Sequence, residues 1–180
     1  MAKAIPLITL DAEGNLSANA PLMLHIRLEE LYSFSSSVYD CALVEELHNM
    51  RIAAKRLRYT MEVFATCFAE IQFAKSYDAV KKIQEQIGEI HDADVRIPVL
   101  TSFLERHSES RPEIETGVKS LLARQNSDRK RKFNTFVKTW EKYNRNGFKK
   151  QFLVMLSEPI SASAAAPAAE QENVNVEESL

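Results

Sequence analysis

Four glycines in 180 residues are too few for a fold built on many tight turns, which lean on residues free to reach positive φ. Two cysteines, Cys41 and Cys67, cannot form a disulfide framework, and both fall inside helical patterns, so they are expected to be buried free thiols. No apolar run approaches the roughly 20 residues that span a bilayer. The opening "MAKAIPLITLDAEGN" has no long apolar stretch leading to a cleavage site, and the expectation is a soluble, cytoplasmic protein without a membrane partner. A formal net charge of −2 gives no bulk attraction to nucleic acid, so any anion must be held by a local patch. The sequence contains no Gly-rich phosphate loop, CxxC pair or GxSxG elbow. Nothing in it supplies a nucleophile, and a non-enzyme without cofactor or metal is expected.

What is present is Leu, Ala, Glu, Lys and Arg in quantity, with 45% hydrophobic and 27% charged residues, a composition that favours helix. The chain is long enough for one domain with a real core. Residues 1–18 read as irregular. A first helix is expected from about Ala20–Pro21 to Ser35, a second over Tyr39–Ala69, a third over Phe73–His107 and a fourth over Pro112–Asn144. Pro98 is expected to kink or end the third, "SESRPE" to separate third from fourth, and Gly147 to cap the fourth. A short apolar segment, "FKKQFLVML", follows. The fold class expected is all-α, an antiparallel bundle of about four long helices over residues 19–156. From Ser157 the chain turns Ala/Ser/Pro/Glu-rich and loses its aromatics, so 157–180 is expected to be a disordered acidic tail.

The stretch "ELHNMRIAAKRLRYTMEVF" sets Arg51, Lys55, Arg56 and Arg58 within eight residues with no acid among them. Like charges at i,i+4 repel on a helix. At 100° per residue, Leu43, Leu47, Met50, Ala54, Leu57, Met61, Phe64 and Phe68 form one apolar stripe. His48, Arg51, Lys55, Arg58, Tyr59 and Glu62 form a second stripe directly beside it, and Arg56 stands apart. A merely solvated face has no need to border the core so closely.

In the third helix Val80, Ile83, Ile87, Ile90 and Ile97 make the apolar stripe. Asp94 falls within it, His91 lies at its edge and Asp92 points more outward. A carboxylate on a buried face needs a partner, and Arg51, Lys55, Arg58 and Tyr59 on the preceding helix are the nearest plausible candidates. Gly88 costs a helix interior about 1 kcal/mol relative to Ala, which fits a close approach of two helices. In the fourth helix Val118, Leu122, Phe133, Phe136, Trp140 and Tyr143 face the core. Arg129 points the same way and requires an acid or a ligand. Arg124, Arg131, Lys138, Lys142 and Arg145 line a separate, more solvated side.

Arg presents a planar fork that matches phosphate oxygens, and Lys adds a mobile charge. Such residues at helical spacing, with His and Tyr donors beside them, can follow a row of phosphates. "LHNMRIAAKRLRYTMEVF" followed by "IQEQIGEIHDADV" resembles the CHAD family, the conserved histidine α-helical domain. The shared pattern is His-x-x-Arg-x-x-x-Lys-Arg-x-Arg-Tyr, then Leu/Ile-Gly-x-x-x-Asp-x-Asp. It falls here on His48, Arg51, Lys55, Arg56, Arg58 and Tyr59, then on Gly88, Asp92 and Asp94. "RKFNTFVKTW" resembles the family's later Trp-bearing helix more loosely.

The resemblance implies a helical bundle whose basic groove binds inorganic polyphosphate without catalysis, in the company of triphosphate-handling enzymes or polyphosphate granules. Arg129 and Arg131 are counted with the binding residues, and His91, Asp92 and Asp94 with those that brace them. Many members carry two motif-bearing bundles where this chain has one, which implies a smaller site or pairing of two chains as a homodimer. Two alternatives use the same residues. His48, His91, Asp92 and Asp128 could form the metal site of an HD-type phosphohydrolase. The basic groove could also bind a nucleic-acid backbone, although stacking aromatics other than Tyr59 are absent from it.

Overall fold

A computed structural model describes residues 3–6, 10, 11, 13–107 and 112–160, and among them every regular element is helical. The helices are α1 (Leu16–Tyr32), α2 (Val44–Val63), α3 (Glu70–His107), α4 (Pro112–Arg145) and α5 (Phe148–Ser157). Short 3-10 turns stand at Ser37–Tyr39 and Ala65–Cys67. The expected acidic tail beyond Ile160 and most of the "SESRPE" break lie outside the described residues.

Local chemistry moves several boundaries from where periodicity put them. α1 starts at Leu16 because the Asn15 side chain caps it, accepting from the Ala18 N–H at 2.8 Å and satisfying one of the free donors of the first turn. Pro21 therefore sits inside the helix rather than in its first turn. α2 starts later than expected, at Val44. Asp40 accepts from the Ala42 N–H at 2.8 Å and holds residues 40–42 in a turn. Cys41 consequently lies on that turn and is exposed, while Cys67 is buried. Leu43 is also exposed and drops out of the apolar stripe. Glu45 and Glu46 occupy the first turn of α2, where carboxylates suit the helix dipole. The helix ends at Val63, and Phe68 is extended. α3 runs through Pro98 instead of ending there. Gly147, at φ 72°, supplies the left-handed residue between α4 and α5, and the short apolar segment after it is a helix.

The core is built from Leu24, Leu28 and Leu31 of α1, Leu47, Met50, Leu57 and Met61 of α2, and Ile83, Ile87 and Ile90 of α3. Phe136 and Trp140 of α4 and Phe152 of α5 complete it. Each such side chain contributes about 1.5–3 kcal/mol by leaving water. The Tyr32 ring lies 5.1 Å from Trp140, and its hydroxyl donates to Asn144 Oδ1 at 3.1 Å. Burial, reinforced by Glu29, pushes the Tyr32 hydroxyl up to about 12.

α3 packs against both α4 and α2, α1 packs on α2, and α5 folds back onto α1. Contacts of His48 with His91 and of Glu62 with Tyr77 make α2 and α3 antiparallel. Those of Glu89 with Lys132 and of Asp94 with Arg129 do the same for α3 and α4. At 1.5 Å per residue, α3 with 38 residues is about 57 Å long against about 30 Å for α2 with 20. Past Ala93 no described residue of α3 is buried, nor is any of α4 before Phe133. The far ends of α3 and α4 thus project as a two-helix arm.

Candidate anion-binding site

α2 places the site. Its apolar face is buried, with Leu47, Met50, Ala54, Leu57 and Met61 at 2% exposure or less. Arg51 and Arg58 lie half-buried at the edge of that face, and Lys55 and Tyr59 stand out from it into solvent. Tyr59 joins the cations together: the Arg58 guanidinium carbon is 4.8 Å and Lys55 Nζ 5.5 Å from its ring centre, both within cation–π range. Arg51 lies over Gly88 of α3, where an added Cβ would sit 3.5 Å from Arg51 Nε. What approaches Gly88 is therefore a guanidinium, not the backbone of a second helix.

At one end of the stripe the rings of His48 and His91 meet at a tilt of 43°, with centres 4.6 Å apart. Burial, followed by the charges of His91 and Arg51, holds His48 below the ordinary histidine range. Its Nδ1, like the Nε of Arg51 and of Arg58, is buried without a hydrogen-bond partner, as is Oε1 of Gln84 on α3. At the other end Arg58 lies 3.7 Å from Glu62, which also accepts from the Tyr77 hydroxyl at 2.7 Å. That hydrogen bond is the main cause raising the Tyr77 hydroxyl above its ordinary range.

The acids meet other partners than the ones expected. Asp94 pairs with Arg129 of α4, whose Nη2 also donates to the Cys41 carbonyl at 2.9 Å. The inward Arg129 has therefore found its acid. Asp92 lies 3.5 Å from Arg96 on its own exposed face. Neither acid braces α2. Arg131 is paired with Asp128 at 2.9 Å and its side chain is 70% exposed. It stands on α4, beside a cleft of about 150 Å3 that it shares with Lys82, Gln86, Glu89, Lys132 and Thr135. Among the described residues, Arg51 and Lys55 are left without any carboxylate in ion-pair reach.

Arg56 points to α1. Its Nη1 donates to Glu30 Oε1 at 2.8 Å, while Arg27 holds Glu30 Oε2 at 2.8 Å and the Ile5 N–H donates to Oε1 at 3.1 Å. Glu30 is 4% exposed, and an unpaired carboxylate there would be costly. Sequence reading missed this acid, although its place four residues before Phe34 and two after Leu28 on an apolar helix was a signal. It missed Gln84 and Tyr77 as well, since neither residue type marks an anion site.

No group of three or more His, Cys, Asp or Glu side chains able to hold a metal occurs among the described residues. His48 and His91 meet, but Asp92 and Asp128 are turned to Arg96 and Arg131, and the HD-type centre is not assembled. A cleft of about 500 Å3 lies between α3 and α5 at Gln72, Lys75, Ser76 and Lys150 and touches none of the motif residues. No described helix is long and apolar enough to cross a membrane.

A search of curated proteins returns no match to the chain. The family model of the CHAD domain matches residues 16–101, from the first residue of α1 to the projecting part of α3, and leaves α4 outside the matched span. That match, with the two-part motif on α2 and α3 as its signature, supports the resemblance to the CHAD family over residues 16–101.

Proposed function

We propose that the stripe of α2 binds inorganic polyphosphate, with Arg51, Lys55 and Arg58 as the principal phosphate contacts and His48 and Tyr59 as flanking donors. The observation that carries the reading is the uncompensated charge of Arg51 and Lys55, since Asp94 and Asp92 of α3 are paired with Arg129 and Arg96. Repulsion along such a stripe is relieved when a polyanion lies on it. The family supports the ligand class, since CHAD domains are polyphosphate-binding modules of a generally non-catalytic kind. Arg131, with Lys82 and Lys132, offers a second set of cations across α3, where a long polymer could continue. Arg56, turned to Glu30, serves the bundle in this reading. Nearness to polyphosphate granules or triphosphate-handling enzymes belongs to the same proposal. So does pairing of two chains, for which the arm offers exposed Val95, Val99 and Leu121 and open space around Gly117.

The test is a titration with long-chain polyphosphate at two salt concentrations. Affinity should fall steeply with salt, as counterion release requires. Neutralising Arg51, Lys55 and Arg58 together as glutamines should weaken binding strongly and lower the salt slope by about one per lost phosphate contact. Equal binding by the triple variant and the unmodified protein sinks the proposal. Preference for RNA or DNA in competition transfers the stripe to nucleic acid.

A further inference from the structure

Ile160 is held against the bundle: its N–H donates to the Cys67 carbonyl at 2.8 Å. Cys67 belongs to the connection between α2 and α3, so the chain leaves the bundle beside the C-terminal end of α2. The next twenty residues, 161–180, carry Glu170, Glu172, Glu177 and Glu178 and no Lys or Arg. Arg58 lies about one and a half turns before the end of α2, and Arg51 about two turns further along, some 18 Å from that end.

We propose that the basic stripe has an occupant within the chain: the acidic segment 161–180 lies on Arg51, Lys55 and Arg58 and competes with polyanions for them. This rests on the polyphosphate reading for its consequence, though not for the contact itself. Ten residues separate Ile160 from Glu170 and can span up to about 33–36 Å, so every cation of the stripe is within reach of a tail carboxylate. The signs are complementary, and the stripe already accepts a carboxylate at its near end, where Glu62 approaches Arg58 at 3.7 Å. Tethering keeps the segment at an effective concentration of the order of millimolar, while exposed ion pairs contribute about 0–1 kcal/mol each. The two together give partial occupancy. A polymer presenting many phosphates at once displaces the tail, whereas a short or sparse anion meets a stripe already taken.

Three proteins test this: the full chain, the full chain with Glu170, Glu172, Glu177 and Glu178 changed to Gln, and the chain stopped after Ile160. None of these changes touches a described helix. At low salt both variants should bind polyphosphate about threefold or more tightly than the full chain, and the difference should vanish at high salt as exposed charges are screened. Equal affinity of all three at low salt overturns the proposal. A second readout needs no polyphosphate: NMR signals of Tyr59 should differ between the full chain and both variants at low salt. If those signals differ while none of the proteins binds polyphosphate, the tail contact stands and the polyphosphate reading falls. Identical Tyr59 signals overturn the tail contact whatever the polyphosphate result.

Discussion

Changing Arg56 to Ala separates two tasks that the cation cluster combines. The Arg56 guanidinium donates to Glu30 at 2.8 Å, and the Glu30 carboxylate is only 5% exposed. Removing one partner of a fully buried pair costs about 3–5 kcal/mol. The loss here is smaller, because Glu30 keeps Arg27 at 2.8 Å and the Ile5 N–H at 3.1 Å. A single hydrogen bond between charged groups is worth about 1.5–3 kcal/mol, and that is the expected destabilisation. For a chain of this size it lowers Tm by roughly 4–10 °C. Urea and thermal unfolding followed by far-UV circular dichroism would measure it, alongside a polyphosphate titration at a temperature where the variant is fully folded. The expected outcome is reduced stability with affinity within about twofold of the unmodified protein. Unchanged stability with lost binding would refute the assignment and make Arg56 a ligand contact.

Gly88→Ala should stabilise by about 1 kcal/mol, since its Cβ would meet Arg51 Nε at an ordinary 3.5 Å; chemical unfolding that shows a loss instead would mean the guanidinium cannot yield. The lowered pKa of His48 means that the folded protein takes up its proton less readily than the unfolded chain. Its contribution to stability is complete above about pH 6.5 and is lost as pH falls below that value. A bound polyanion favours the protonated ring, so polyphosphate affinity should rise over the same interval, and His48→Gln should flatten both profiles. Asp94→Ala leaves the Arg129 guanidinium with the Cys41 carbonyl alone and should cost about 2–3 kcal/mol in an unfolding titration, with binding to the stripe retained.

A period of 3.6 tells which residues share a face, and on α2 that was enough. Leu47, Met50, Leu57 and Met61 are buried, and the cations border them as the wheel requires. It does not tell which neighbour a face will meet. α3 touches both α2 and α4, and the partner expected for Asp94 on the preceding helix stands instead on the following one, as Arg129. Arg56 was off the stripe on the wheel, yet its reason, Glu30, lies 26 residues earlier on α1. The boundaries missed at Leu16 and Val44 were set by single side chains, Asn15 and Asp40, whose caps override periodicity. α3 continues past Pro98, which is exposed and lies beyond Ala93, the last buried described residue of the helix, so the one ladder bond it removes is lost outside the packed core.

Although α3 is one unbroken helix, it need not open as one. Its first two thirds are locked by Val80, Ile83, Ile87 and Ile90, so their amides should exchange with solvent only when the whole bundle unfolds. Beyond the Asp94–Arg129 pair no described residue of the arm is buried, and Pro98 contributes no amide to the ladder. Hydrogen exchange should therefore divide the helix near residue 94 into a slow rod and a fast arm, with the matching part of α4 fast as well. The arm can fray, and be cut by a protease, while the stripe on α2 stays in place.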